Sequence, residues 1–118
     1  MGSLLQQRGW STSLPERLNI ENPEVIADIH KKYLEAGANI ITTNTFSANS
    51  VTLAEQGLTS KAYEFALSGA RIARTVADDW AEKSSAPCFV AGSMGPTRHS
   101  LTLGDENKMV SFDQMAAA

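Results

Sequence analysis

Apolar residues at Val25, Ile29 and Tyr33 recur every fourth position, and Ile26 widens the stripe. That is the pattern of a helix burying one face. Its start is marked three times over. Asn22 offers a side-chain oxygen as N-cap, Pro23 suits the first helical position because its missing N–H has no partner there, and Glu24 favours the positive helix end. Gly37 can take the left-handed conformation that ends the run. The pattern predicts a helix over Pro23–Ala36. The next run, Asn39-Ile40-Ile41-Thr42-Thr43, is short and β-branched and reads as a buried strand. Asn44-Thr45-Phe46-Ser47 is then the loop leaving its C-terminal end.

A short helix is expected from Val51 to Gln56, capped by Asn49 or Ser50 and stopped by Gly57. A long one is expected from Ser60 to about Lys83. Phe65, Ile72, Val76 and Trp80 mark its apolar face, and Ala62, Ala66, Ala70 and Ala73 permit close packing on a sheet. Gly69 lies inside that helix at a cost of about 1 kcal/mol against alanine, which points to close approach of a neighbouring backbone. Pro87-Cys88-Phe89-Val90-Ala91 is the second strand, running into the tight loop Gly92-Ser93-Met94-Gly95-Pro96-Thr97. The first 20 residues carry little periodicity, interrupted by Gly9 and Pro15, and read as a loop with one short helical turn. In the segment after Ser100, Ser111 followed by Asp113-Gln114 reads as another helix start.

Helix, glycine and strand in close succession are typical of α/β units in which helices cover a parallel sheet. Two strands and two long helices are too few to bury both faces of such a sheet. An eight-unit barrel takes about 250 residues, roughly 30 per unit. The 118 residues are therefore either a fragment of a larger α/β domain or a small domain that completes its core by association.

Composition narrows the function classes. With 42% hydrophobic residues the chain can form a core, and its formal charge of −3 argues against a nucleic-acid module. No apolar run reaches the length of a membrane span and no leader pattern opens the chain, so a cytoplasmic location is expected. The one cysteine, Cys88, excludes an internal disulfide and a self-contained multi-thiolate metal site. Inside an apolar strand it reads as a buried structural thiol. His30 reads as a packed or half-exposed helix residue and His99 as a surface one. Arg71 and Arg74 read as decorating the long helix away from the sheet, near Asp78 and Glu82.

Two clusters can carry chemistry. At the first strand's end, Asn44 offers a donor and an acceptor, Thr42, Thr43 and Thr45 offer hydroxyls, and Phe46 can wall an apolar pocket. After the second strand, Gly92, Ser93 and Gly95 sit in a loop whose glycines let a ligand reach main-chain amides, which can form an anion-binding nest. It has neither the lysine of a phosphate-binding loop nor a dinucleotide fingerprint. Both clusters also fit plain turn-building roles.

Taken together, Met1-Gly2-Ser3-Leu4-Leu5-Gln6, Pro23-Glu24-Val25-Ile26, Tyr33-Leu34-Glu35-Ala36-Gly37-Ala38, Thr43-Asn44-Thr45-Phe46, Ala70-Arg71-Ile72-Ala73-Arg74 and Val90-Ala91-Gly92-Ser93-Met94-Gly95-Pro96-Thr97 resemble, in order and spacing, the start of the homocysteine S-methyltransferase domain. The likeness is greatest to the homocysteine-binding region of cobalamin-dependent methionine synthases. It implies an N-terminal fragment of a (β/α)8 TIM barrel, with residues 1–118 as a partial homocysteine-binding domain of about three βα units whose first strand is truncated. It implies methyl transfer to the thiol of homocysteine, giving methionine. Zinc held by cysteines late in the domain would activate the thiolate, and cobalamin and methyltetrahydrofolate would act through other domains. By resemblance, Thr43, Asn44 and Thr45 face the site mouth, and Gly92, Ser93 and Gly95 approach the amino-acid part of homocysteine. Thr42 stands where methionine synthases often carry glutamate. Cys88 matches none of the family's zinc ligands, so this chain is expected to be inactive by itself. The alternative is a non-enzymatic, self-associating α/β module or a truncated relic.

Overall fold

A computed structural model describes residues 1–97. His99 and the expected helix start at Ser111 lie outside the described residues.

The long helices form where the pattern places them. Helix α3 covers Pro23–Glu35, following α1 (Gly2–Gln7) and the short α2 (Leu18–Glu21). Strand β1 is Ile40–Thr42, α4 is Ser50–Ala54, α5 is Ala62–Ser84 and β2 is Phe89–Ala91. The two strands pair in parallel, with Ile40 opposite Phe89, Ile41 opposite Val90 and Thr42 opposite Ala91. The ladder extends one step beyond β1, where the Thr43 N–H donates to the Ala91 carbonyl. A parallel pair needs a crossover, and α4 and α5 supply it.

Among the described residues, one sheet face is covered and the other is not. Ile41 packs with Leu34 of α3, Ala73, Val76 and Ala77 of α5, and Cys88. Val90 and Trp80 close the same cluster. Cys88 is buried, as expected for a structural thiol. On the opposite face Ile40 and Phe89 are 59% and 58% exposed.

Four details depart from the sequence reading. The N-terminal segment holds more helix than one turn: α1, a 3-10 turn at Pro15–Arg17, and α2. Weak local periodicity concealed it because tertiary contacts hold it. Leu5 and Leu18 pack fully against Ile26 and Ile29 of α3, and Arg8 donates to the Asp28 carboxylate. Pro15, read as a breaker, starts a helical turn instead. The Asn22 side chain makes no cap hydrogen bond, although Asn22 holds the N-cap position. The buried stripe of α3 is also rotated, running Ile26, Ile29, His30 and Leu34, and Tyr33 is left exposed. That rotation follows from α3 packing at once on the N-terminal segment and on the β1–α5 core.

Other boundary signals hold. Gly37 and Gly57 have φ of +105° and +68°, and Asn49 caps α4 by accepting from the Thr52 N–H at 2.8 Å. Arg74 pairs with Asp78 on the outer side of α5, and also donates to the Cys88 carbonyl at 3.3 Å.

Candidate functional site

Both strands end on the same side of the sheet, as parallel strands must, and their following loops are tied together there. The Ser93 N–H donates to Thr43 Oγ1 at 3.0 Å. Thr45 Oγ1 donates to the Ser93 carbonyl at 2.7 Å. The two threonine oxygens lie 2.6 Å apart. Because the Thr45 proton is committed to Ser93, the Thr43 hydroxyl must donate to Thr45. The result is a closed ring of hydrogen bonds, in which each hydroxyl keeps one lone pair and neither keeps a free proton.

Asn44 plays a different part from its neighbours. It is buried, and its amide nitrogen donates to the Pro15 carbonyl and to Asn19 Oδ1, both at 2.9 Å. Asn19 in turn donates to the Asn44 carbonyl at 2.8 Å and to the Phe65 carbonyl at 3.0 Å. The Asn44 donor groups therefore hold the loop against the Pro15–Arg17 turn and α2, and Asn19 ties that assembly to α5. Gly69 makes that seat possible. A Cβ there would lie 2.7 Å from Thr45 Cγ2 and 3.1 Å from the Asn44 carbonyl oxygen. The close backbone approach expected from a mid-helix glycine is present.

The glycine loop divides likewise. Among the described residues nothing stands within 4 Å of where a Gly92 Cβ would point, which leaves room for a ligand to approach. At Gly95 a Cβ would collide with the Phe46 carbonyl oxygen, and the Gly95 N–H donates to that carbonyl. With the Ser93 and Gly95 amides both committed within the protein, they are not donors to an anion nest. Thr43, Thr45, Gly92, Ser93 and Gly95 line a cavity of about 360 Å³, with Phe46 on its wall. Asn44 is absent from that lining and borders a second cavity of about 480 Å³, which shares Thr43, Thr45, Phe46 and Ser93 with the first.

Sequence reading passed over Glu16 and Asn19. Glu16 is buried, and Oε1 accepts from the Ser47 N–H at 2.7 Å. The signal available was Pro15 followed by an acid, a helix-start pair. Asn19 had none, since its partners are distant in sequence.

His30 is buried against another small cavity, with Nε2 unpartnered among the described residues. Burial, and secondarily the positive amino terminus, lower its pKa below the ordinary histidine value. The described residues do not fit zinc: no group of three His, Cys, Asp or Glu is close enough together to hold a metal ion. No described helix is long and apolar enough to cross a membrane.

Polar strand-end loops around a common cavity are the arrangement in which α/β enzymes place small-molecule sites. A family model for homocysteine S-methyltransferase matches residues 1–118, and the chain belongs to that family. It is similar to the homocysteine methyltransferase MmuM from Escherichia coli, solved in oxidized and metallated forms, at 26% identity and a TM-score of 0.73. That match covers 81% of this chain and 35% of the MmuM chain, so the chain spans about a third of its relative's length.

Proposed function

We propose that this chain forms a homocysteine-facing wall of a methyltransferase domain, built as consecutive units of a (β/α)8 barrel. Thr43, Thr45, Gly92, Ser93 and Gly95 contact the substrate, and Asn44 positions the loop that carries the threonines. The hydrogen-bonded ring joining Thr43, Thr45 and Ser93 carries this reading, because it makes one rigid cavity wall from two strand ends. Methyl transfer to the thiol requires activation of the sulfur. The sequence has one cysteine, Cys88, buried in the sheet core, so zinc-binding thiolates must come from outside these residues. Cobalamin and methyltetrahydrofolate, where they supply the methyl group, would likewise act through other domains.

Calorimetry with L-homocysteine tests the binding part. Binding by the 118-residue chain, abolished in a folded Gly92→Val variant, is the expected result. Absence of binding, or equal binding by the variant, overturns it. No methionine should form from homocysteine and S-methylmethionine with added zinc, and turnover would refute the proposed dependence on outside thiols.

A second reading, a self-associating module, is favoured by one observation: Ile40 and Phe89 face each other across the ladder on a side no described element covers. Light scattering over a concentration series decides it. A monomer at every concentration removes this reading.

A further inference from the structure

We infer that the cavity beside Glu16 is a binding site for a primary ammonium group, with the Glu16 carboxylate as counter-charge. Glu16 is 2% exposed, in the turn Pro15–Arg17. One oxygen accepts a single neutral N–H, from Ser47, and the other, Oε2, has no hydrogen-bond partner among the described residues. Among the described residues no cation pairs with it, and the adjacent Arg17 is engaged by Glu21 at 3.5 Å. An enclosed carboxylate with one neutral donor is costly unless a positive charge comes to meet it.

The surroundings specify the kind of charge. Glu16 lines the cavity of about 480 Å³ together with Thr43, Thr45 and Ser47. The ring of hydrogen bonds commits both threonine protons, so these hydroxyls present only lone pairs. The complement of a carboxylate beside hydroxyl acceptors is a cation carrying several N–H donors. A quaternary ammonium has no N–H for those lone pairs. A divalent cation would need more oxygen ligands of higher charge than one carboxylate supplies. A primary ammonium satisfies both the charge and the acceptors. This deepens the proposed function, since homocysteine is an amino acid, and rests on that reading only for the identity of the ligand.

The test uses the whole 118-residue chain and four probes: L-homocysteine, its desamino analogue 4-mercaptobutanoate, propylammonium and tetramethylammonium. Glu16→Gln removes the charge and keeps an oxygen for the Ser47 N–H. It should weaken homocysteine and propylammonium by about tenfold or more, as loss of a charged hydrogen bond does, and leave 4-mercaptobutanoate unchanged. Tetramethylammonium should bind neither protein. Equal weakening of homocysteine and its desamino analogue, unchanged propylammonium binding, or no propylammonium binding to the wild type overturns the inference. A measurement free of any variant stands beside it. The carboxyl carbon resonance of Glu16 should move on titration with propylammonium and not with 4-mercaptobutanoate, and a stationary resonance counts against the site. Propylammonium bound through Glu16 without homocysteine binding refutes the substrate and keeps the site. Homocysteine bound equally by Glu16→Gln does the reverse.

Discussion

The Ser93 N–H donates to the Thr43 hydroxyl at 3.0 Å, joining residues fifty positions apart where the two strands end. Thr45 completes the link through the Ser93 carbonyl. Replacing Thr45 with valine preserves its shape and deletes two hydrogen bonds. The Thr43 proton and one acceptor at Ser93 are left unpaired at a part-buried position. Thr45→Val should lower unfolding free energy by about 1–3 kcal/mol, read from urea titration. Homocysteine binding should weaken with it, whereas an unchanged urea midpoint would show that the ring contributes nothing to stability.

Gly69→Ala sets helix propensity against packing. In an open helix the change would add about 1 kcal/mol of stability. Here the new methyl would meet Thr45 Cγ2 at 2.7 Å and Asn19 Nδ2 at 2.8 Å. Overpacking should win, for a net loss of about 1–3 kcal/mol, measured by thermal or urea unfolding. A stabilised variant would show that the loop yields freely.

His30 makes stability fall in mild acid. Its pKa is lowered in the folded chain, by burial first and the positive amino terminus second. Below the ordinary value of 6.5 the unfolded chain binds a proton that the folded chain resists. The contribution is therefore complete above that value and is lost as pH falls through it toward the lowered native value. The slope can reach about 1.4 kcal/mol per pH unit. Urea midpoints measured from about pH 7 down to about pH 5 should decline in the wild type and decline less in His30→Phe.

Asn49→Ala removes the oxygen that accepts the Thr52 N–H. A loss of about 0.5–2 kcal/mol is expected, typical of an N-cap. Homocysteine affinity should fall too, because Asn49 also borders the cavity of about 360 Å³. Circular dichroism with urea titration separates the stability effect from the affinity effect.

The long helices, both strands and their loops were legible because each rests on local signals. Pro23 opens α3, Gly37 and Gly57 close their helices, and β-branched residues fill β1. The N-terminal helices were not legible, since Leu5 and Leu18 owe their order to Ile26 and Ile29 of another element. At the site, residue types picked out the two loops that meet at the strand ends without dividing the labour within them. Thr43 and Gly92 border the cavity, but the Asn44 amide turns inward to Pro15 and Asn19, contacts that no spacing rule encodes. Gly92 and Gly95 look alike in the chain, yet only Gly95 is pressed against Phe46.

Position 69 follows a stricter rule than either loop it supports. Every amino acid other than glycine adds at least one carbon where the Asn44 carbonyl and the Thr45 methyl already stand. An engineer reshaping the mouth therefore has a single dial in the middle of a helix. Turning it can only push the threonine loop outward, never draw it in.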